Sequence, residues 1–408
     1  MQVIKSYLSH LECAECDCSV DADTRANLCP ECNSSLLARY DLSQLGNYLQ
    51  PSDWKDRSPD LWRYAEILPI RDPMNRITLG EGGTSIYEIP TYADQIGLHH
   101  LWIKDEGLNP TGTFKARGAA VGVARALELG EKTLAMPTAG NAGSAWAAYC
   151  ARAGLELHVV MPDDTPVVNM REVSACGAKL HLVDGLISDA GTIVGAACSE
   201  FGWYEVSTLK EPYRVEGKKT MGFEIAEQFD WQLPDVILYP TGGGVGMIGL
   251  WKAFDELEQL GWINGHRPKL IAVQAKGCAP VVSSIELGVE GCEAIIDAST
   301  VSSGLRVPKP FADRLLLRII RSTEGNAIAV SDEDTIEMTK LVASTEGVFV
   351  APEAGAMFAA LPKLMSDRQI SPDDKVVLLS TGNALKYTDL FKTSNLSILD
   401  KDGRIRID

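Results

Sequence analysis

From about residue 98 onward, short runs of β-branched and apolar residues alternate with longer stretches whose apolar positions recur at helical spacing. The short runs predict strands at Leu101–Lys104, Leu134–Met136, Leu157–Met161, Lys179–Val183, Val236–Tyr239, Leu270–Gln274, Ala327–Val330, Val348–Val350 and Lys375–Ser380. The longer ones predict helices at Ala119–Leu129, Ala142–Ala153, Val167–Cys176, Ile193–Phe201, Glu216–Phe229, Gly246–Leu260, Asp332–Thr345 and Gly355–Met365. Gly154, Gly177 and Gly202 stand where helix C-caps belong. Such alternation points to an α/β protein with a parallel sheet, in which ligands collect at strand C-terminal ends and helix N-termini. Upstream, a short helix is predicted around Trp62–Glu66 in an irregular lead-in, and Leu79-Gly-Glu-Gly-Gly-Thr84 reads as a turn. The pattern divides the chain into a cysteine-rich segment (1–40), the lead-in (41–95), a smaller α/β domain (96–205) and a larger one (206–408). No internal repeat is visible, and the polar stretch after Tyr387 reads as a peripheral tail.

Composition narrows the partners. Across 408 residues, 45% are hydrophobic and 23% charged, ordinary for a globular enzyme. A net charge of −17 argues against nucleic acid and anionic membranes, while leaving room for a local basic pocket. No apolar run reaches the ~20 residues that span a bilayer. The first residues lack the apolar core and cleavage site of a secretory signal, so a cytoplasmic location is expected. Five of the ten cysteines crowd into positions 13 to 32. Cys13-Ala-Glu-Cys16 and Cys29-Pro-Glu-Cys32, twelve residues apart, form two knuckles that can complete an all-thiolate tetrahedral site for a structural zinc, with Cys18 left over. The alternative is a degenerate knuckle that has lost its metal or pairs oxidatively.

Candidate chemistry gathers at four turns. Asn109-Pro-Thr-Gly-Thr-Phe-Lys-Ala-Arg-Gly118 puts Lys115 at a helix entry, where the dipole disfavours an ammonium and tolerates a neutral or covalently engaged amine. Pro137-Thr-Ala-Gly-Asn141 could hold a ligand oxygen, or Asn141 could simply cap its helix. Thr241-Gly-Gly-Gly-Val-Gly246 follows a strand and opens a helix, which suits a phosphate, although it lacks the ending of a Walker loop. Ser380-Thr381-Gly-Asn383 ends another strand and offers a neutral hydroxyl, or is only a turn. No histidine metal site or nucleophilic triad is apparent, so Lys115 is the favoured proton carrier.

Together these segments resemble the fold-type II pyridoxal-phosphate enzymes, a two-domain fold like that of the tryptophan synthase β subunit, and within them the threonine synthases. The resemblance rests on Glu106-Gly-Leu-Asn-Pro-Thr-Gly-Thr-Phe-Lys115, Ala139-Gly-Asn141-Ala, Pro212-Tyr-Arg214-Val-Glu-Gly-Lys-Lys219-Thr and Thr381-Gly-Asn-Ala-Leu-Lys386, and spans roughly residues 79 to 390. Some members carry a comparable four-cysteine knuckle. The resemblance implies pyridoxal 5′-phosphate bound covalently by Lys115, with Asn141 on its 3′-oxygen and Thr381 at its ring nitrogen. Gly242, Gly243, Gly244, Val245 and Gly246 would wrap its phosphate. It also implies that Thr138, Ala139, Gly140 and Ala142 surround a substrate carboxylate. Arg214, Thr208 and Lys219 would hold the phosphate of O-phospho-L-homoserine, which is converted with water to L-threonine and phosphate. A homodimer is the family expectation. Two departures stand out: Ala116 occupies the place of a frequent aspartate, and the glycine-rich 242–246 loop resembles that of serine/threonine dehydratases. A dehydratase or a cysteate-synthase-like β-replacement enzyme, and a non-catalytic binding module, are the alternatives.

Overall fold

The computed structural model describes residues 4–391, so most of the expected tail lies outside the described residues. Two sheets organise the body. The larger has six strands in the order Asn326–Val330, Lys269–Ala275, Val236–Pro240, Lys375–Ser380, His100–Asp105 and Ile86–Glu88, all parallel except the last. The smaller has four parallel strands, Lys179–Val183, Glu156–Pro162, Thr133–Pro137 and Tyr204–Glu205. The central strand Val236–Pro240 is buried at every position, as expected where helices cover both faces of a parallel sheet. Lys179–Val183, at an edge, is mostly exposed. Among the described residues no helix is long and apolar enough to cross a membrane.

The domain boundary at residue 96 needs correction. His100–Asp105 pairs with Lys375–Ser380 in the larger sheet rather than joining the smaller domain. Leu101 and Ile103 pack with Val236, Leu238, Val376 and Leu378, residues far away in sequence that local pattern cannot reveal. Val348–Val350 is not a strand either; Val350 makes a single bridge to Asn383. The cysteine-rich segment contains a small antiparallel sheet of Ser19–Val20, Leu8–Cys13 and Leu36–Tyr40 that periodicity did not announce.

Three helices meet beneath the cleft between the sheets: Lys115–Glu128, Asn141–Ala153 and Arg214–Gln228. The first and third touch backbone to backbone, since a Cβ on Gly217 would lie 2.0 Å from the Arg117 carbonyl oxygen. A buried ion cluster locks this junction. The Arg117 guanidinium binds Glu106 (Nε–Oε2 2.6 Å) and Glu224 (Nη1–Oε1 2.6 Å), and Lys104 Nζ reaches Glu224 Oε2 at 2.6 Å. Thr84, Asn109 and Thr220 supply further hydrogen bonds. Two cations and two carboxylates balance, which makes burial of all four tolerable. Ala116, in the place of the family's frequent aspartate, is fully buried among the apolar residues of the smaller domain.

Candidate active site

Lys115 is the first residue of its helix, and its N–H donates to Thr113 Oγ1 at 3.3 Å. Its side chain is half-buried on the wall of a cavity of about 670 Å³ between the two sheets. Nζ lies 3.9 Å from the centroid of the Phe114 ring. Burial, and secondarily the Arg214 charge, push the amine down to about 8, with Glu353 acting the other way. A substantial uncharged fraction near neutrality is what a nucleophile and proton carrier requires.

The cavity collects most of the residues picked out by sequence. Thr138, Ala139, Gly140, Asn141 and Ala142 form one wall, Gly242, Gly243, Gly244 and Val245 another, and Thr208, Arg214 and Thr381 complete it. Asn141 does not cap its helix: it is the first helical residue, after Gly140 at φ 148°, and no side chain caps that end. Its Oδ1 instead accepts from Asn169 Nδ2 at 2.9 Å, which leaves the Asn141 NH₂ as the group available to a ligand oxygen. The helix Val245–Gln259 also starts without a side-chain cap, after Gly244 in the left-handed region (φ 75°). Its free N–H groups and its dipole together suit a phosphate. A Cβ on Gly243 would meet only the Thr208 methyl at 3.6 Å, so this loop faces open space on its ligand side. Gly246 does not line the cavity; a Cβ there would fall 2.3 Å from the Tyr239 hydroxyl, and the glycine lets that ring pack.

Arg214 opens helix Arg214–Gln228, whose first N–H groups are capped by the Glu211 carboxylate (2.7 Å from Tyr213 N, 3.0 Å from Arg214 N). The guanidinium donates to Thr208 Oγ1 at 2.8 Å and to the Val206 carbonyl, and stacks on Trp146 at 4.9 Å. Its Nε is buried without a hydrogen bond, with Glu211 Oε2 3.9 Å away. Burial brings it down to about 10, with Glu211 opposing. It has donor capacity left over for an anion.

Lys219 is corrected. It is fully buried outside the cavity, where Nζ pairs with Glu216 at 2.6 Å and Glu256 at 2.9 Å. Lys218 lines the cavity in its stead. Helical geometry contains the signal: residue 218 is four positions from Arg214 and shares its face, whereas 219 is turned away. Sequence reasoning also passed over Asn169, Glu353 and Tyr387. The Tyr387 hydroxyl donates to Glu353, and Gly304 N–H donates to the same oxygen at 2.9 Å. Glu353 sits one residue into a helix after a proline, a place where acidic residues are common for reasons of helix stability alone, so nothing in the chain marked it.

Residues 77–382 match the model of the pyridoxal-phosphate dependent enzyme family. The chain belongs to that family. The threonine synthase of Methanosarcina acetivorans is 36% identical over 379 residues, covering 92% of each chain, and that of Methanocaldococcus jannaschii is 34% identical over 378 residues, covering 92% of this chain and 93% of the relative. Within the family, the chain belongs with the threonine synthases. Among solved structures, an L-serine ammonia-lyase from Rhizomucor miehei superposes with a TM-score of 0.62 at 21% identity, over 75% of this chain and 96% of that one. The fold is therefore fold-type II. The cavity fits the family's cofactor: an amine, two uncapped helix starts and an oriented amide surround it in the way that pyridoxal phosphate demands.

Proposed function

We propose that this protein is a threonine synthase whose Lys115 holds pyridoxal phosphate and whose Arg214 subsite receives the phosphate of O-phospho-L-homoserine. The observation that carries the substrate assignment is Arg214 itself, a buried guanidinium on the cavity wall whose Nη1 and Nη2 donate to Thr208 and the Val206 carbonyl and keep further N–H groups for an anion. A planar donor fork of this kind matches a phosphate dianion. When bound, pyridoxal phosphate supplies an electron sink for negative charge developing on substrate carbons. Asn141 would donate to its 3′-oxygen, the N–H groups following Gly242 to Gly244 would seat its phosphate, and Thr381 would stand at its ring nitrogen. Thr138, Ala139, Gly140 and Ala142 present a hydroxyl and the start of a helix to the substrate carboxylate. Lys115 Nζ moves protons at the substrate's Cα and Cβ, a task that its amine near 8 supports. Elimination of the γ-phosphate and addition of water at Cβ then give threonine and phosphate. In Arg214→Ala, KM for O-phospho-L-homoserine should rise about 100-fold or more, in keeping with loss of a buried charge-assisted contact, while cofactor affinity changes little. Equal loss of both would make Arg214 a structural residue.

We also read the cysteine segment as a structural zinc site. The four Sγ atoms of Cys13, Cys16, Cys29 and Cys32 lie within 4.8 Å of one another, with Cys13–Cys32 at 3.4 Å and Cys16–Cys29 at 3.6 Å. Tetrahedral zinc with four thiolates requires roughly 3.8 Å between sulfurs. The segment docks beside the substrate subsite: Ser35 Oγ donates to the Leu209 carbonyl at 2.8 Å and Asn27 Nδ2 to the Glu205 carbonyl at 2.6 Å. Cys13→Ser should release about one zinc per chain while the visible band of the lysine-bound cofactor persists. Unchanged metal content would contradict the site.

A further inference from the structure

Lys218 is an anomaly among the buried lysines. It is 1% exposed, and its Nζ donates to the Phe114 carbonyl and lies 4.0 Å from the centroid of the Phe114 ring. Lys104, Lys219 and Lys252 are equally buried, and each has a carboxylate partner. Lys218 has none among the described residues, although an ammonium has three protons to place and a buried unpaired charge is strongly unfavourable.

The surroundings are shaped to admit it nonetheless. A Cβ on Gly118 would sit 3.0 Å from Arg214 Cγ and 3.1 Å from Lys218 Cε, and one on Gly249 would sit 2.9 Å from Lys218 Cβ. Two glycines on two neighbouring helices thus make room for one lysine. Four residues from Arg214 on the same helix face, Lys218 reaches the cavity alongside Arg214, Thr208 and Gly243. Three basic side chains, Lys115, Arg214 and Lys218, therefore converge on one space.

Resting on the reading of the cavity as a phosphorylated-substrate site, we propose that Lys218 is a further phosphate-binding residue of the substrate subsite, closing a three-point grip with Arg214 and Thr208. Burial, followed by the nearby charges of Lys115 and Arg214, with Arg117 acting the same way and Glu106 against it, holds the resting amine well below its ordinary range. Entry of a dianion favours the charged amine, so the neutral fraction of Nζ takes a proton from solvent and pairs with the phosphate as an ammonium. The cofactor's own phosphate in the Gly242–Val245 seat is the other anion that could lie against Nζ, and the experiment separates the two.

The probes are O-phospho-L-homoserine for turnover and inorganic phosphate for binding, both with the cofactor-loaded enzyme. Calorimetry in buffers of different ionisation enthalpy should show wild type taking up more protons per phosphate bound than Lys218→Met, the ionisation of phosphate itself cancelling in the comparison. The same variant should raise KM for O-phospho-L-homoserine by about ten-fold or more, with the cofactor dissociation constant within about two-fold of wild type. Equal proton counts and equal inorganic-phosphate affinity in wild type and Lys218→Met overturn the proposal. Weakened cofactor binding with unaltered inorganic-phosphate affinity also overturns it, by assigning Lys218 to the cofactor seat. If wild type fails to turn over O-phospho-L-homoserine, the substrate assignment falls, while the proton count with inorganic phosphate still decides the role of Lys218.

Discussion

Replacing Lys115 by alanine is expected to eliminate the visible absorption of covalently held cofactor and to lower kcat by about 10³-fold or more, since one group serves as both anchor and proton carrier. Asn141, the 242–245 loop and Thr381 remain in the variant, so the cofactor should still bind, but without a covalent link. Wild-type apoprotein adds a pH test. Only the uncharged amine attacks an aldehyde, and the amine lies at about 8. The rate of covalent attachment should therefore climb as pH rises from 6 toward 8 and level off above it, when followed by absorbance after mixing with pyridoxal phosphate. Retention of the band or of turnover in Lys115→Ala would remove Lys115 from the centre of the account.

The second large effect concerns the ion cluster beneath the site. Glu224→Ala leaves Arg117 and Lys104 with half their counter-charge in a fully buried setting, which should destabilise the protein by about 3–5 kcal/mol in chemical denaturation at neutral pH. Burial alone would raise the Glu224 carboxyl, but Arg117 and Lys104 outweigh it and hold it below the ordinary range. A depressed carboxylate contributes stability that is complete above its unfolded value and is lost as pH falls through the folded one. The difference between wild type and variant should thus be full at pH 7 and shrink progressively as pH falls below the ordinary glutamate range. A loss below about 1 kcal/mol at pH 7 would show that water reaches these charges. Because Arg117 is two residues from Lys115 on the same helix, loosening the cluster should also disturb the cavity wall.

The body of the fold was legible because its strands are buried on both faces and its helices are long. Val236–Pro240 and Lys375–Ser380 are continuous apolar runs that a parallel sheet requires, and Gly154 and Gly202 do adopt the left-handed conformation at helix ends. Elements built on few residues were less visible. Helix Asp313–Ser322 was missed although it buries Leu315, Leu316, Leu317, Ile319 and Ile320, because its arginines at 314, 318 and 321 interrupt the apolar run. The membership of His100–Asp105 in the larger sheet depends on a partner about 275 residues away, which no local pattern encodes.

The site follows the same logic. Turns rich in glycine at strand ends are local features, and Asn141, Gly242–Val245 and Thr381 were singled out from them and from the family resemblance; all line one cavity. Residues that reach it from a helix face were harder. Lys218 and Lys219 are adjacent in sequence, and only the turn of the helix sends one to the cavity and the other to Glu216 and Glu256. Glu353 and Tyr387 meet each other across 34 residues, and neither stands in a motif that signals chemistry.

The most direct measurement is product analysis with O-phospho-L-homoserine and cofactor-loaded enzyme. Equimolar inorganic phosphate and L-threonine, with little ammonia or 2-oxo acid from L-threonine or L-serine, is the expected result. Release of ammonia and a 2-oxo acid from those amino acids, with no phosphate from O-phospho-L-homoserine at saturating concentration, would contradict it.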